Sequence, residues 1–410
     1  MLAKLKSTYL HFGYNLPILI ALFLPFGINY AIFIIIWLVC FFAFDDVKSV
    51  IKNVFQNKWT YVLFSFFLLH VIGYFFSYNK TIALNSIEIK LSFLAFPILI
   101  FSSRYNEIQI KKIVISFVSG CLLATAICLF AAFYNYIFKG VNAFFYGDYN
   151  LFMHPSYFAM YLVFAQLLVI LFYPTWLAHL SNFRIKIGFI SLLILISIFL
   201  CSSKMGLISA FLLIPSTLFI VLFNHGFRKV ILGSVLIFFM GVFIAYKIAP
   251  KPFERIIIAF RVTSSIEKID KTDAESTAVR ILIWKESAKL IKSHFLFGTS
   301  SGDMQDKFNE AYEKEGLSGA LIKKLNAHNQ FLQTFVGTGI FGFMLLLVMT
   351  IGALIYSFVK KNYILSLFSI LIIFNFLVES MLQAQAGFIF FAFFFCILAQ
   401  YNFHKLNKTS

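Results

Sequence analysis

Apolar runs dominate the chain, and one long polar segment interrupts them. The runs fall at 12–26, 29–44, 59–77, 85–102, 112–137, 155–174, 186–201, 205–223, 229–248, 330–358, 362–378 and 384–401. Each approaches the roughly 20 residues that an α-helix needs to cross a bilayer core, so the pattern predicts twelve transmembrane helices. The first two runs are joined only by Gly27-Ile28-Asn29 after Pro25, and the seventh and eighth only by Ser202-Ser203-Lys204, so both pairs are predicted hairpins. A count of eleven follows if the first pair is one broken helix. The exception is Ala249 to His328, which is hydrophilic and ends in Asn326-Ala327-His328-Asn329-Gln330 directly before an apolar run. The expected organisation is one all-α polytopic membrane domain over 1–410. It has helices 1–9 in 1–248, a large loop over 249–328, and helices 10–12 with a cytoplasmic tail in 329–410.

Composition agrees with that class. The chain is 61% hydrophobic, 19% aromatic and 12% charged, whereas a soluble globule carries about 25% charged residues. A net charge of +17 in a soluble protein would point to nucleic acid; here the placement of the charges assigns sidedness instead, and no nucleic-acid partner is expected. One set of segments carries Lys4, Lys6, Lys48, Lys52, Lys58, Arg104, Lys111, Lys112, Arg184, Lys186, Arg228, Lys229, Lys360, Lys361, Lys405 and Lys408. The short loops of the other set carry little beyond Lys80, Lys139 and Lys204. By the positive-inside rule both termini are cytoplasmic, and the large loop faces the periplasmic side of a bacterial inner membrane.

Several chemistries find no support in the sequence. Cys40, Cys121, Cys128, Cys201 and Cys396 lie in or at the edge of apolar runs, without a CxxC pair or a metal-ligand spacing. They read as small core hydrophobes, and neither a disulfide framework nor a metal site is expected. The first apolar run follows Lys4 and Lys6 without a small-residue cleavage site, so it reads as a retained span. No GxxxxGK[ST] motif indicates ATP use. A lipid-linked glycan transporter is an alternative from another class, but the chain has neither an inverted repeat nor a matched pair of broken helices.

On the outer side, ionisable residues lie close to the membrane: Lys80, Glu88, Lys90, Lys139, Asp148, His154, Lys204 and Glu379. Such groups cost a few kcal/mol each at membrane depth and usually face a cavity or a partner. Together they point to a polar pocket open to the outer face. For Lys80, Lys90 and Lys139, snorkelling to the interface is the favoured reading.

Within the loop, Thr277 to Ile291 has the spacing of an amphipathic helix, with Ile281, Trp284, Ala288 and Ile291 on one face and Arg280 one turn from Trp284. Phe295 to Gly302 follows as a Gly- and Ser-rich turn whose amides could meet an anion. The charged stretch from Glu310 to Lys324 reads as a solvated helix face. His328 opens the next apolar helix, where the positive end of the dipole disfavours imidazolium. It is therefore a candidate general base, with a helix cap as the plain alternative. Gly337, Gly339 and Gly342 permit close helix packing. Arg255 and Arg261 either assist Arg280 or contact lipid headgroups.

The run Asp273-Ala274-Glu275-Ser276-Thr277-Ala278-Val279-Arg280, then Trp284, then Phe297 to Gly302, then Ala327-His328-Asn329-Gln330 with Gly337, Gly339 and Gly342, resembles the signature region of the O-antigen ligase family. The order, spacing and sidedness of these short motifs carry the resemblance, and the predicted topology matches it along nearly the whole chain. It implies a GT-C-like, metal-independent glycosyltransferase without a cofactor. Its donor would be an undecaprenyl-diphosphate-linked glycan and its acceptor lipid A-core, both met within membrane lipids. It also implies that Arg280 binds the diphosphate and that His328 deprotonates the acceptor hydroxyl. Where members of the family carry Ser-Arg this chain has Ser203-Lys204, which keeps the charge but loses the bidentate fork. By the same resemblance Glu379 is an acceptor-side residue, and Trp284, Asn329, Gly298 and Gly302 belong to the substrate site. An O-antigen polymerase or a protein O-oligosaccharyltransferase shares this signature and differs in the acceptor.

Overall fold

A computed structural model describes residues 15–28, 30–44, 47–103, 105–224, 240, 246–247, 270–272 and 277–401. Among them every regular element is helical. In chain order the main helices are α1 (Asn15–Phe26), α2 (Ala31–Phe44), α3 (Val47–Gln56), α4 (Lys58–Phe76), α5 (Lys80–Phe101), α6 (Glu107–Lys139) and α7 (Pro155–Trp176). They continue with α8 (Phe183–Cys201), α9 (Lys204–Asn224), α10 (Thr277–Ser293), α11 (Met304–Glu315), α12 (Gln330–Val359), α13 (Tyr363–Phe376) and α14 (Gln385–Gln400). Six of these, α4, α5, α6, α7, α8 and α12, are long and apolar enough to cross a membrane, and α1, α2, α9, α13 and α14 contain shorter apolar stretches. Of the predicted ninth span only Met240, Tyr246 and Lys247 are described. Arg255, Arg261 and residues 273–276 lie outside the described residues.

The chain divides into two compact units, Met1–Phe44 with Tyr105–Ile256 and His404–Ser410, and Asp45–Arg104 with Ile257–Phe403. In the first, α6 starts from a capping box. Asn106 Oδ1 accepts from Gln109 N at 2.9 Å and Gln109 Oε1 from Asn106 N at 3.0 Å. The most enclosed long helix is α7, with 83% of its apolar window buried. Its N-terminus is set by Pro155 behind His154, whose ring accepts from Ser156 N. The turn between α8 and α9 closes at Ser202 in the left-handed region, and Ser203 Oγ accepts from Gly206 N at 3.2 Å. Lys204 is the first residue of α9.

The second unit carries the polar segment. Its apolar half is an aromatic interior in which Phe93 meets Phe388 at 4.2 Å between ring centroids and Phe368 stacks on Phe391. Lipid is as apolar as these rings, so close packing and edge-to-face geometry hold the helices together, not the expulsion of water. Polar helices α10 and α11 have a water-type core of their own, where Val279, Ile283, Phe308, Tyr312, Leu317, Ala327 and Val336 gather. The face of α10 differs from the expected one. Ala288 is exposed, whereas Glu286 and Ser287 are buried beside Ile283. Glu286 turns inward because Lys289 pairs with it at 2.9 Å, and Ser287 because its hydroxyl donates to Ile283 O at 2.8 Å. One helix, α3, lies between the second and third apolar runs, where hydropathy predicts no span. In α3, Val50 and Val54 are buried while Lys48, Ile51 and Lys52 are exposed, an amphipathic pattern too short to register as a span.

Candidate functional site

Three helix ends in the second unit build the site. The carboxyl end of α13 unwinds after Phe376, and its orphan carbonyls are taken by side chains from elsewhere. Arg280 Nη1, from the first turn of α10, donates to Val378 O at 2.7 Å. Asn329 Nδ2, from the start of α12, donates to Leu377 O at 3.1 Å. A cation at a helix carboxyl end also meets the negative pole of the dipole. The next residue is Glu379. Its Oε1 accepts from Arg280 Nη2 at 3.1 Å and its Oε2 faces His328 Nδ1 at 3.1 Å.

Glu379 therefore joins the two residues expected to be catalytic. As an ionised carboxylate it accepts from both sides, so His328 donates through Nδ1–H and keeps Nε2 as the nitrogen able to take a proton. The side chains are 28% (Arg280), 15% (Glu379) and 21% (His328) exposed, enough for a substrate to reach them and little enough to keep their geometry fixed.

His328 is held by its backbone as well. Its φ of 44° is left-handed, a conformation that costs a non-glycine residue on the order of 1 kcal/mol and persists when neighbours enforce it. Asn326 Oδ1 accepts from His328 N at 2.9 Å, Gln333 Oε1 from Ala327 N at 2.8 Å, and Trp284 Nε1 donates to Ala327 O at 2.9 Å. Both backbone polar groups of Ala327 are thus pinned directly before the histidine. Asn329 caps α12, its Oδ1 accepting from Leu332 N at 3.1 Å. His328 precedes that cap and does not itself cap the helix.

The Gly-rich turn is placed differently from the expectation of open amides. Gly298 N donates to His294 O at 2.9 Å, Thr299 N to Val336 O at 2.7 Å, and Ile340 N to Phe295 O at 2.9 Å. The turn fills a break in α12 at Gly339, whose φ and ψ are 66° and −162°. Gly298 has φ 69°, and a Cβ there would stand 2.6 Å from backbone atoms of Gly337, Thr338 and Gly339. Gly302 approaches the start of α5, where a Cβ would lie 2.6 Å from Asn79 O. The structure gives both glycines a packing task.

A latch that sequence reasoning missed sits beside them. Asp303, 8% exposed, accepts from Asn79 N at 2.9 Å, Tyr78 N at 3.0 Å and Ser300 Oγ at 3.1 Å. It ties the turn to the amino end of α5. Gln330 enters the sequence reading only as part of a motif and Gln333 not at all, although two glutamines three apart on an apolar span are a visible signal. Gln330 Oε1 accepts from Leu382 N at 2.7 Å and so fixes the strand of chain that carries Glu379. Lys204 belongs to the other unit.

Helices throughout the described residues, six of them long and apolar enough to cross a membrane, with a linked cation, carboxylate and imidazole at one helix junction, fit a multi-pass membrane enzyme. Residues 189–347 match the family model described as O-Antigen ligase, so this stretch of the chain is similar to that family. That family is one of membrane glycosyltransferases of ligase and polymerase type. The match runs from α8 into α12 and takes in Lys204, Arg280, Trp284, Gly298, Gly302, His328 and Asn329; Glu379 lies beyond it. No curated protein matches the chain.

Proposed function

We propose that the protein moves a glycan from an undecaprenyl-diphosphate carrier to a sugar hydroxyl of lipid A-core. In this reading it works at the periplasmic face of the inner membrane, with both termini cytoplasmic and twelve spans in a GT-C-like arrangement. The observation that carries it is the sharing of Glu379 between Arg280 and His328.

The chemistry follows from those three groups. Nε2 of His328 takes the proton of the acceptor hydroxyl as its oxygen bonds to the anomeric carbon of the donor sugar. The bond from that carbon to the diphosphate oxygen breaks, and the lipid diphosphate leaves with the electron pair. Diphosphate is a good leaving group, so the protein's task is to position the reactants and to meet the growing negative charge. Arg280 meets it with N–H groups beyond those given to Val378 and Glu379. Trp284 and Asn329 support the base through the backbone, and Gly298 and Gly302 support the wall of the site. Lys204 is a further candidate cation for the diphosphate, on the strength of the motif resemblance alone.

The test is transfer by the purified protein in detergent, from undecaprenyl-diphosphate glycan, with lipid A-core, a second lipid-linked glycan and a periplasmic protein offered separately. Transfer to lipid A-core that survives EDTA and is lost in His328→Ala is the expected result. Label on the second glycan or on the protein replaces the ligase reading with that of a polymerase or a protein O-oligosaccharyltransferase. Labelling of no acceptor overturns the enzyme reading.

A further inference from the structure

Lys90 does not snorkel. It is 1% exposed, at the end of the first stretch of α5, where the helix breaks at Leu91. Its Nζ donates to Ser86 Oγ at 3.0 Å and to Ser86 O at 3.3 Å, and stands 5.9 Å from the centroid of the Phe388 ring. An ammonium has three donors, and these contacts engage two of them. A buried cation without a counter-charge costs several kcal/mol, so such groups are paired or neutralised.

Among the described residues, the surroundings of Lys90 do not supply a carboxylate. It lines a cavity with His70, Ser301, Gln333, Thr334 and Gln383, and no Asp or Glu is among the lining residues. Two donors that line the cavity lack a strong acceptor. Ser301 is 8% exposed, and its hydroxyl has no partner among the described residues. Gln333 Oε1 accepts from Ala327 N, while among the described residues its Nε2 reaches only the thioether of Met304 at 3.2 Å, a weak acceptor. His70 gives Nδ1–H to Phe66 O at 2.9 Å, which leaves its Nε2 a neutral acceptor without the charge that an ammonium calls for. The free space admits about one water-sized ligand, which is too small for a phosphate.

We propose that this cavity binds one small monovalent anion of the chloride class, held between the ammonium of Lys90 and the hydroxyl of Ser301, with the Gln333 amide completing its shell. The anion supplies the counter-charge that the helices lack and accepts from the donors left over. It does not depend on the glycosyltransferase reading, because the site is separate from Arg280, Glu379 and His328. Gln333 connects the two, since its other end fixes the Ala327 peptide beside His328.

The experiment records the Tm of the purified full-length protein in a non-ionic detergent by tryptophan fluorescence, as sodium chloride replaces sodium gluconate at constant ionic strength. Gluconate is too large for the cavity. The expected result is a saturable rise in Tm with chloride, repeated with bromide and absent in Lys90→Met. Ser301→Ala is expected to fold normally and to need several-fold more chloride for the same rise, which decides the matter if Lys90→Met does not fold. Equal Tm in chloride and gluconate for the wild type overturns the proposal in favour of a bound water. A chloride response that is unchanged in Ser301→Ala, or that persists in Lys90→Met, overturns it by putting the ion elsewhere.

Discussion

Glu379 Oε2 stands 3.1 Å from Nδ1 of His328, a residue 51 positions earlier in the chain. The contact selects the tautomer: Nδ1 carries the hydrogen and Nε2 the lone pair. Replacing Glu379 by Gln keeps the shape but removes the charge that steadies the imidazolium formed during proton transfer, and its amide can turn a donor toward Nδ1. Glu379→Gln is expected to lower kcat by on the order of 10²-fold while donor KM changes little. His328→Ala is expected to lose about 10² to 10⁴-fold, the usual share of general base catalysis. Steady-state transfer rates with both substrates varied check the two together; a Glu379→Gln enzyme with wild-type kcat removes the carboxylate from the mechanism.

Arg280 uses two nitrogens at once, Nη1 on Val378 O and Nη2 on Glu379. A lysine ammonium keeps the charge but does not reproduce the planar fork. Arg280→Lys is therefore expected to retain a small residue of transfer and Arg280→Ala none measurable, a loss of at least about 10²-fold of the kind seen when one transition-state donor is removed. Both variants are expected to insert and purify as the wild type, because the guanidinium is partly exposed and outside the packed core. Transfer assays alongside size-exclusion profiles separate the loss of chemistry from the loss of fold.

Much of this arrangement was legible in the sequence, for physical reasons that differ by feature. Apolar runs announce helices in lipid because every backbone group must be satisfied within its own segment. Arg280 and His328 stood out because each adjoins a helix start and sits in a recognisable order of motifs. That both converge on Glu379 was not legible, since 99 residues separate it from Arg280 and no periodicity spans that distance. The buried face of α10 was misread because Glu286 and Ser287 are polar, and hydropathy turns such residues outward unless their partners are known. Lys90 was misread for the same reason: its stem is long enough to snorkel, and only the tertiary structure shows that it does not. The glycine pattern of the turn allowed an anion at its amides, and pattern alone does not distinguish amides offered to a ligand from one such as Thr299 N, which is spent on Val336 of α12.

Gly298 tests that last distinction. Its φ of 69° is left-handed, and the space where a Cβ would go is filled by backbone of α12, which cannot give way as a flexible side chain can. Gly298→Ala is expected to destabilise the protein by on the order of 1–3 kcal/mol, the range for strained backbone sites. Thermal unfolding in detergent reads the loss. If the stability is unchanged while transfer falls, the glycine acts on a substrate and not on the helix break.

Asp303 makes the strongest case for a purely structural residue beside the site. Its carboxylate satisfies two backbone amides at the entry to α5 and the hydroxyl of Ser300, and Ser300 in turn receives a hydrogen bond from Ser77 Oγ at 2.9 Å. Asp303→Ala leaves those amides and that hydroxyl without their acceptor in a buried place, at about 1–3 kcal/mol for each group that water does not reach. Asp303→Asn keeps one acceptor oxygen, so it is expected to fall between the wild type and the alanine variant. The predicted consequence is local: the turn from Phe295 to Gly302 detaches from α5, and the break in α12 that it fills loses its cover. Limited proteolysis followed by mass spectrometry should then find new cleavage between 295 and 303 in Asp303→Ala, at a temperature where the wild type is resistant. Cleavage spread over the whole polar segment, or none at all, counts against the latch.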